Sequence, residues 1–89
     1  MATFLVSCAA DGHAQCAKVH DELAKCPMQR LNRGTWLVST TCTAEDLIER
    51  LAVLLSPDEH LFVAVVSAAA AWCGYNDTQS AEIDAILRG

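Results

Sequence analysis

The order in which strand-like and helix-like stretches follow one another is what most limits the folds open to this chain. Thr3-Phe-Leu-Val-Ser-Cys-Ala-Ala10 is an apolar run of strand length with β-favouring residues at its start, closed by Asp11-Gly12. From His13 to Cys26, the residues Cys16, Val19, His20 and Leu23 recur at helical spacing, with Lys18, Asp21, Glu22 and Lys25 largely around the other side. Pro27 stops that helix, because the residue before a proline is pushed out of the α region. Met28 to Arg33 reads as a weaker strand and Thr35-Trp-Leu-Val-Ser-Thr-Thr41 as a clear one, with Gly34 marking a tight turn or a bulge between them. Thr43 has the character of an N-cap, with Asp46 three residues on in a variant of the capping box. Ala44, Leu47, Ile48, Leu51, Leu54 and Leu55 then form the cleanest amphipathic stripe in the chain. Ser56-Pro57-Asp58 breaks it. Leu61-Phe-Val-Ala-Val-Val66 is apolar on both faces, as a central strand is. Beyond it, Ala68 to Trp72 suits helix or extended chain, Gly74-Tyr-Asn-Asp77 is a turn, and Ala81 to Leu87 is a short helix with Ile83, Ile86 and Leu87 inward.

This order, β-α-β-β-α-β with a tail, predicts an α+β domain of ferredoxin-like topology: an antiparallel sheet with both helices on one face. With 89 residues there is room for one core, so a single domain spans 1–89, its core about 3–66 and its C-terminal tail 67–89. A sheet of this kind leaves its other face open. The apolar strand residues therefore predict a second copy covering that face, in a homodimer.

The five cysteines, Cys8, Cys16, Cys26, Cys42 and Cys73, are odd in number and contain no CxxC pair. That predicts neither a disulfide framework nor a zinc ribbon, but free thiols serving as small buried hydrophobes in a reducing cytoplasm. The apolar run at Thr3 has no basic stretch before it, as a signal peptide would, and no run approaches the ~20 residues that span a bilayer. A cytoplasmic protein is expected. The net charge is −5 and unevenly placed. Residues 1–33 set Lys18, Lys25, Arg30 and Arg33 against Asp11, Asp21 and Glu22, whereas residues 34–89 set Arg50 and Arg88 against eight acids. Such a chain repels phosphate backbones, which counts against general nucleic-acid binding and leaves basic protein or nucleoprotein partners open.

Several stretches together resemble the small CRISPR adaptation nuclease family, and within it the stand-alone relatives of unknown role. They are the opening Thr3-Phe-Leu-Val-Ser7, Arg30-Leu-Asn-Arg-Gly-Thr-Trp-Leu-Val38, Thr43-Ala-Glu-Asp-Leu47, and Asp58 with Leu61-Phe-Val63. The likeness covers about residues 3–66. It implies a ferredoxin-like homodimer whose first strands meet at the two-fold axis. In that family the first strand ends in Tyr-Asp, and the paired Asp residues hold a divalent metal for phosphodiester cleavage. Here the matching positions are Cys8 and Ala9, which offer no carboxylate to Mg²⁺. Asp11, two residues later, is the catalytic candidate if Mg²⁺ or Mn²⁺ chemistry survives; otherwise no cofactor is expected.

Four constellations carry chemical alternatives. His13, Cys16 and His20 share one helical face, where Cys8 or Asp11 can approach as further ligands, and zinc accepts such a set; alternatively Cys16 is core and His20 its edge. Cys8, followed by Asp11 and His13, invites comparison with a thiol nucleophile, set against a plain buried strand cysteine. Arg30 and Arg33, near Trp36, suit a phosphate contact or a solvated strand edge. Glu45, Asp46, Glu49, Asp58 and Glu59 gather around the second helix as a solvated face or as a surface that docks a basic partner. Trp72, Cys73 and Tyr75 are expected to pack the tail onto the domain or across a dimer. The expected function is thus a non-catalytic, homodimeric protein-interaction module in prokaryotic defence, counter-defence or a mobile element. Its alternatives are an acidic phage-type inhibitor (an anti-CRISPR) of a nucleic-acid-handling complex and a metal-dependent endonuclease using Asp11.

Overall fold

The strand β1 (Ala2–Ala10) organises the molecule, a computed structural model of which describes residues 2–10, 16–67 and 70–88. After it come α1 (Ala17–Leu23), β2 (Met28–Asn32), β3 (Thr35–Thr40), α2 (Ala44–Ala52), β4 (Glu59–Val66) and α3 (Asp77–Arg88). β1 pairs antiparallel with β3 on one side, Phe4 opposite Val38, and with β4 on the other, Phe4 opposite Val65. β2 completes an antiparallel sheet of order β2-β3-β1-β4. Among the described residues the chain is a small α+β unit with four antiparallel strands and three helices.

Because side chains alternate along a strand, β1 divides its residues between two layers. Phe4, Val6 and Cys8 face the layer that holds Trp36 and Val38 of β3, Val19 and Leu23 of α1, and Leu47 and Leu51 of α2. This is the main core. Full burial of each aliphatic side chain there contributes about 1.5–3 kcal/mol. Helix α2 starts as its sequence predicts: Thr43 Oγ1 accepts from the Asp46 amide at 3.1 Å, and the Asp46 carboxylate accepts from the Thr43 amide at 3.4 Å.

Thr3 and Leu5 face the opposite layer, and here the expectation of an open sheet face needs correction. Helix α3, longer than the expected 81–87, packs against β2 and β3 on that side. Its Ile83 is buried, and Thr3 Oγ1 donates to the Ile86 carbonyl at 3.1 Å. The reason lies in α3's own Ile83 and Leu87, which with Leu5, Leu31, Leu37, Trp72 and Tyr75 line an apolar groove of about 300 Å³. Tyr75 Oη donates to the Leu31 carbonyl, which fastens the tail to its own domain, while Trp72 Nε1 donates to Ser80 Oγ within the tail. Ala70–Trp72 is neither helix nor strand, residues 68–69 lie outside the described ones, and Gly74 turns the chain with φ 90°.

Two further expectations change. The first helix was expected over 13–26; its described part begins at Ala17, because Cys16 sits in the left-handed region (φ 55°), and residues 11–15 lie outside the described ones. It ends at Leu23, ahead of Pro27. The second change concerns β4, which is an edge strand and not a central one. Leu61 and Val63 of its inner row pack on the main core, but Val65 and, on the other face, Phe62 remain 67 % and 63 % exposed. Apolar side chains on both faces of a strand do not distinguish a central strand from an edge that exposes them.

Candidate functional site

The C-terminal end of β1, the start of α1 and the start of β4 converge on one point. The β1–β4 register sets Cys8 opposite Leu61 and Ala10 opposite Glu59, so the first residue of β4 arrives beside the chain entering α1. There Cys8 and Cys16 form a disulfide, with Cα atoms 6.3 Å apart. The expectation of five free thiols is therefore corrected: only Cys26, Cys42 and Cys73 are free. The spacing alone gave no CxxC signal. The pairing joins residues eight apart, one near the end of β1 and one just before α1.

Glu59 completes the cluster. Its Oε2 accepts from the Cys16 amide at 2.9 Å and its Oε1 from the Ser56 amide, while its own amide donates to the Ser56 carbonyl at 3.0 Å. The Ser56 amide first, then the Cys16 amide and the nearby Lys18 charge, hold the Glu59 carboxyl below its ordinary range against the opposing effect of partial burial. One carboxylate oxygen and the two sulfur atoms lie within 4.8 Å of one another, and both cysteines are buried. Glu59 is thus a local clamp between the turn before β4 and the start of α1.

The other sites read from the sequence are dispersed. Of the His13–Cys16–His20 set, His13 lies outside the described residues, Cys16 is spent in the disulfide, and His20 Nδ1 accepts from the buried Trp36 Nε1 at 3.0 Å. That hydrogen bond satisfies an indole N–H whose burial alone would cost about 1–3 kcal/mol. The bonded state of Cys8 removes its thiol, and with it the nucleophile alternative for this form. Asp11 lies outside the described residues. Arg30 donates to the carbonyls of Asn32 and Arg33 and stacks 5.8 Å from the Trp36 ring centroid, so its guanidinium is occupied in closing the β2–β3 turn. Arg33 is exposed in that turn. Asp46 serves the capping box, whereas Glu45 and Glu49 are exposed on α2 and border a shallow depression of about 400 Å³ with Ala44, Ile48 and Val63. Asp58 is exposed in the turn before β4.

No helix is long and apolar enough to cross a membrane among the described residues. Compared with protein-family models, with curated proteins and with solved structures, the chain matches none.

Proposed function

We propose that this chain is a homodimeric, non-catalytic protein-interaction module of ferredoxin-like topology, on a scaffold resembling the CRISPR adaptation nucleases and working in the cytoplasm in defence, counter-defence or a mobile element. The observation that carries the dimer is the exposed pair Phe62 and Val65 on the edge strand β4. An edge strand offers unpaired backbone donors and acceptors, and natural edges are usually shielded by charge, proline or cover. Here large apolar side chains stand on it instead. The topology reading is supported by the split β-α-β connectivity and by an order that, counted from the β4 edge, runs 4-1-3-2. The non-catalytic reading is supported by Cys8 and Ala9 at the strand end, where the family carries its metal-binding carboxylate.

With α3 over β2 and β3, two-fold addition through β4 replaces the face-to-face arrangement as the mode of pairing. Sedimentation velocity over a concentration series is expected to show a dimer in the wild type. Val65→Lys, on a residue 67 % exposed, is expected to give a folded monomer. A wild-type monomer at every concentration overturns the proposal. Because each copy carries a net charge of −5, added salt should strengthen the dimer.

The exposed Glu45 and Glu49 beside the α2 depression favour the second reading, an acidic inhibitor of a basic nucleoprotein complex. Its binding would weaken with salt, the opposite sign, and weaken again in Glu45→Lys with Glu49→Lys. The endonuclease alternative rests on Asp11 alone; cleavage that needs Mg²⁺ or Mn²⁺ and is lost in Asp11→Asn would replace both readings.

A further inference from the structure

The cluster at the end of β1 has a second chemical state that does not depend on the interaction reading. We infer that, with the disulfide reduced, the thiolates of Cys8 and Cys16 and the carboxylate of Glu59 form a binding site for one zinc-class divalent cation. Oxidation would close the same site by joining two of its three ligands.

The placement of the donors is the first support. All three ligand atoms already lie within 4.8 Å of one another. Tetrahedral zinc takes sulfur at about 2.3 Å and carboxylate oxygen at about 2.0–2.2 Å. Ligand atoms in such a shell stand roughly 3.4–3.8 Å apart, from those bond lengths. Once the S–S bond is broken, side-chain torsions set the spacing of the two sulfurs.

The second support is how Glu59 is held. Two backbone amides, of Cys16 and Ser56, fix its carboxylate in orientation. A carboxylate has about four lone-pair positions, so two remain for a metal. Orienting hydrogen bonds of this kind commonly brace metal ligands. The third support is chemical type: two soft thiolates with one carboxylate suit Zn²⁺ and exclude preference for Mg²⁺, which wants oxygen throughout. Three protein ligands leave the fourth position to water. Cys8 and Cys16 are only 5 % and 4 % exposed, so the thiolates are shielded from bulk solvent.

The reduction balances with a named reagent. A water-soluble trialkylphosphine attacks one sulfur, the S–S bond breaks, and water supplies oxygen to the phosphine oxide and protons to the two thiols. Cation binding then displaces the two thiol protons to solvent. A cellular dithiol performs the same reduction by exchange, becoming a disulfide itself.

The test uses the full chain, reduced by the phosphine under argon, and Co²⁺ as an optical probe. Folding of the reduced chain is checked by circular dichroism before metal is added. The expected result is one Co²⁺ per chain with the visible absorption of tetrahedral thiolate-bound cobalt, bleached when Zn²⁺ displaces it. The oxidised chain should show no such absorption. Cys8→Ser and Cys16→Ser should each abolish it, and Glu59→Gln should weaken binding at least about tenfold, the lower range seen even for lost outer-shell partners. A chain with Cys26, Cys42 and Cys73 all changed to Ser should bind as the wild type does. The inference is overturned if the reduced wild type binds no Co²⁺, if the oxidised chain binds equally, or if the triple Ser variant loses the signal.

Discussion

Glu59 shows how much one side chain settles at this end of the molecule. Its carboxylate joins the turn before β4 to the residue that precedes α1, across 43 positions of sequence. The Ser56 and Cys16 amides and the Lys18 charge favour its ionised form, so its pKa is lower in the folded chain than in the unfolded one. A group shifted in this direction stabilises the fold above its unfolded pKa, about 4.3 for a free Glu, and that contribution is lost as pH falls through the depressed folded value. Thermal melts followed by circular dichroism from pH 7 down through the carboxylate range should therefore show Tm falling with acid. The fall should be smaller in Glu59→Gln, which has no proton to take up. An equal fall in both would mean that other carboxylates govern the acid limb. Of the two amides that hold Glu59, Ser56 is three residues away in the chain, but Cys16 is brought to it from a distant stretch alongside the β1–β4 register, which no local pattern signals.

The elements differ in how far their own residues specify them. The capping box of α2 was legible because both halves, Thr43 and Asp46, lie within one turn of chain. The start of α1 was not, because the left-handed Cys16 and its bond to Cys8 depend on a residue in another element. Gly34 stands between these cases. The sequence marked it as a turn or bulge, and the β2–β3 ladder does shift register between Arg30 and Asn32. What no pattern revealed is the neighbour: the Cys8 amide donates to the Gly34 carbonyl at 2.8 Å, and a Cβ on Gly34 would collide with the Cys8 carbonyl oxygen. Backbone cannot yield as a flexible side chain does. Gly34→Ala should accordingly destabilise the fold by about 1–3 kcal/mol, the usual cost of overpacking, read as a lower urea midpoint with an unchanged slope. A variant as stable as the wild type would mean that the β2–β3 turn shifts freely away from β1.

At the scale of the whole molecule, the order of elements and the main core followed from periodicity, and the second layer did not. Ile83 and Leu87 were recognised as inward, but the surface that they meet, Leu5 and Leu37, belongs to strands whose apolar residues suggested a partner chain instead. Intramolecular and intermolecular cover place the same demand on a strand, so composition cannot separate them. Ile83 is 1 % exposed, and Ile83→Ala should cost about 2–5 kcal/mol. That is a large share of the roughly 5–15 kcal/mol of a typical domain. Urea unfolding that left the midpoint in place would show α3 to be an appendage and not a layer. The candidate site was legible only in fragments: Cys8 and Cys16 were each noticed, their bond was not, and Glu59 was grouped with the acids around α2 and not with the two cysteines it stands beside. The hydrogen bond from Thr3 to the Ile86 carbonyl carries a different consequence. It ties the first strand to the last helix through one side chain, so a local opening that lifts α3 from the sheet also releases a hydroxyl on β1.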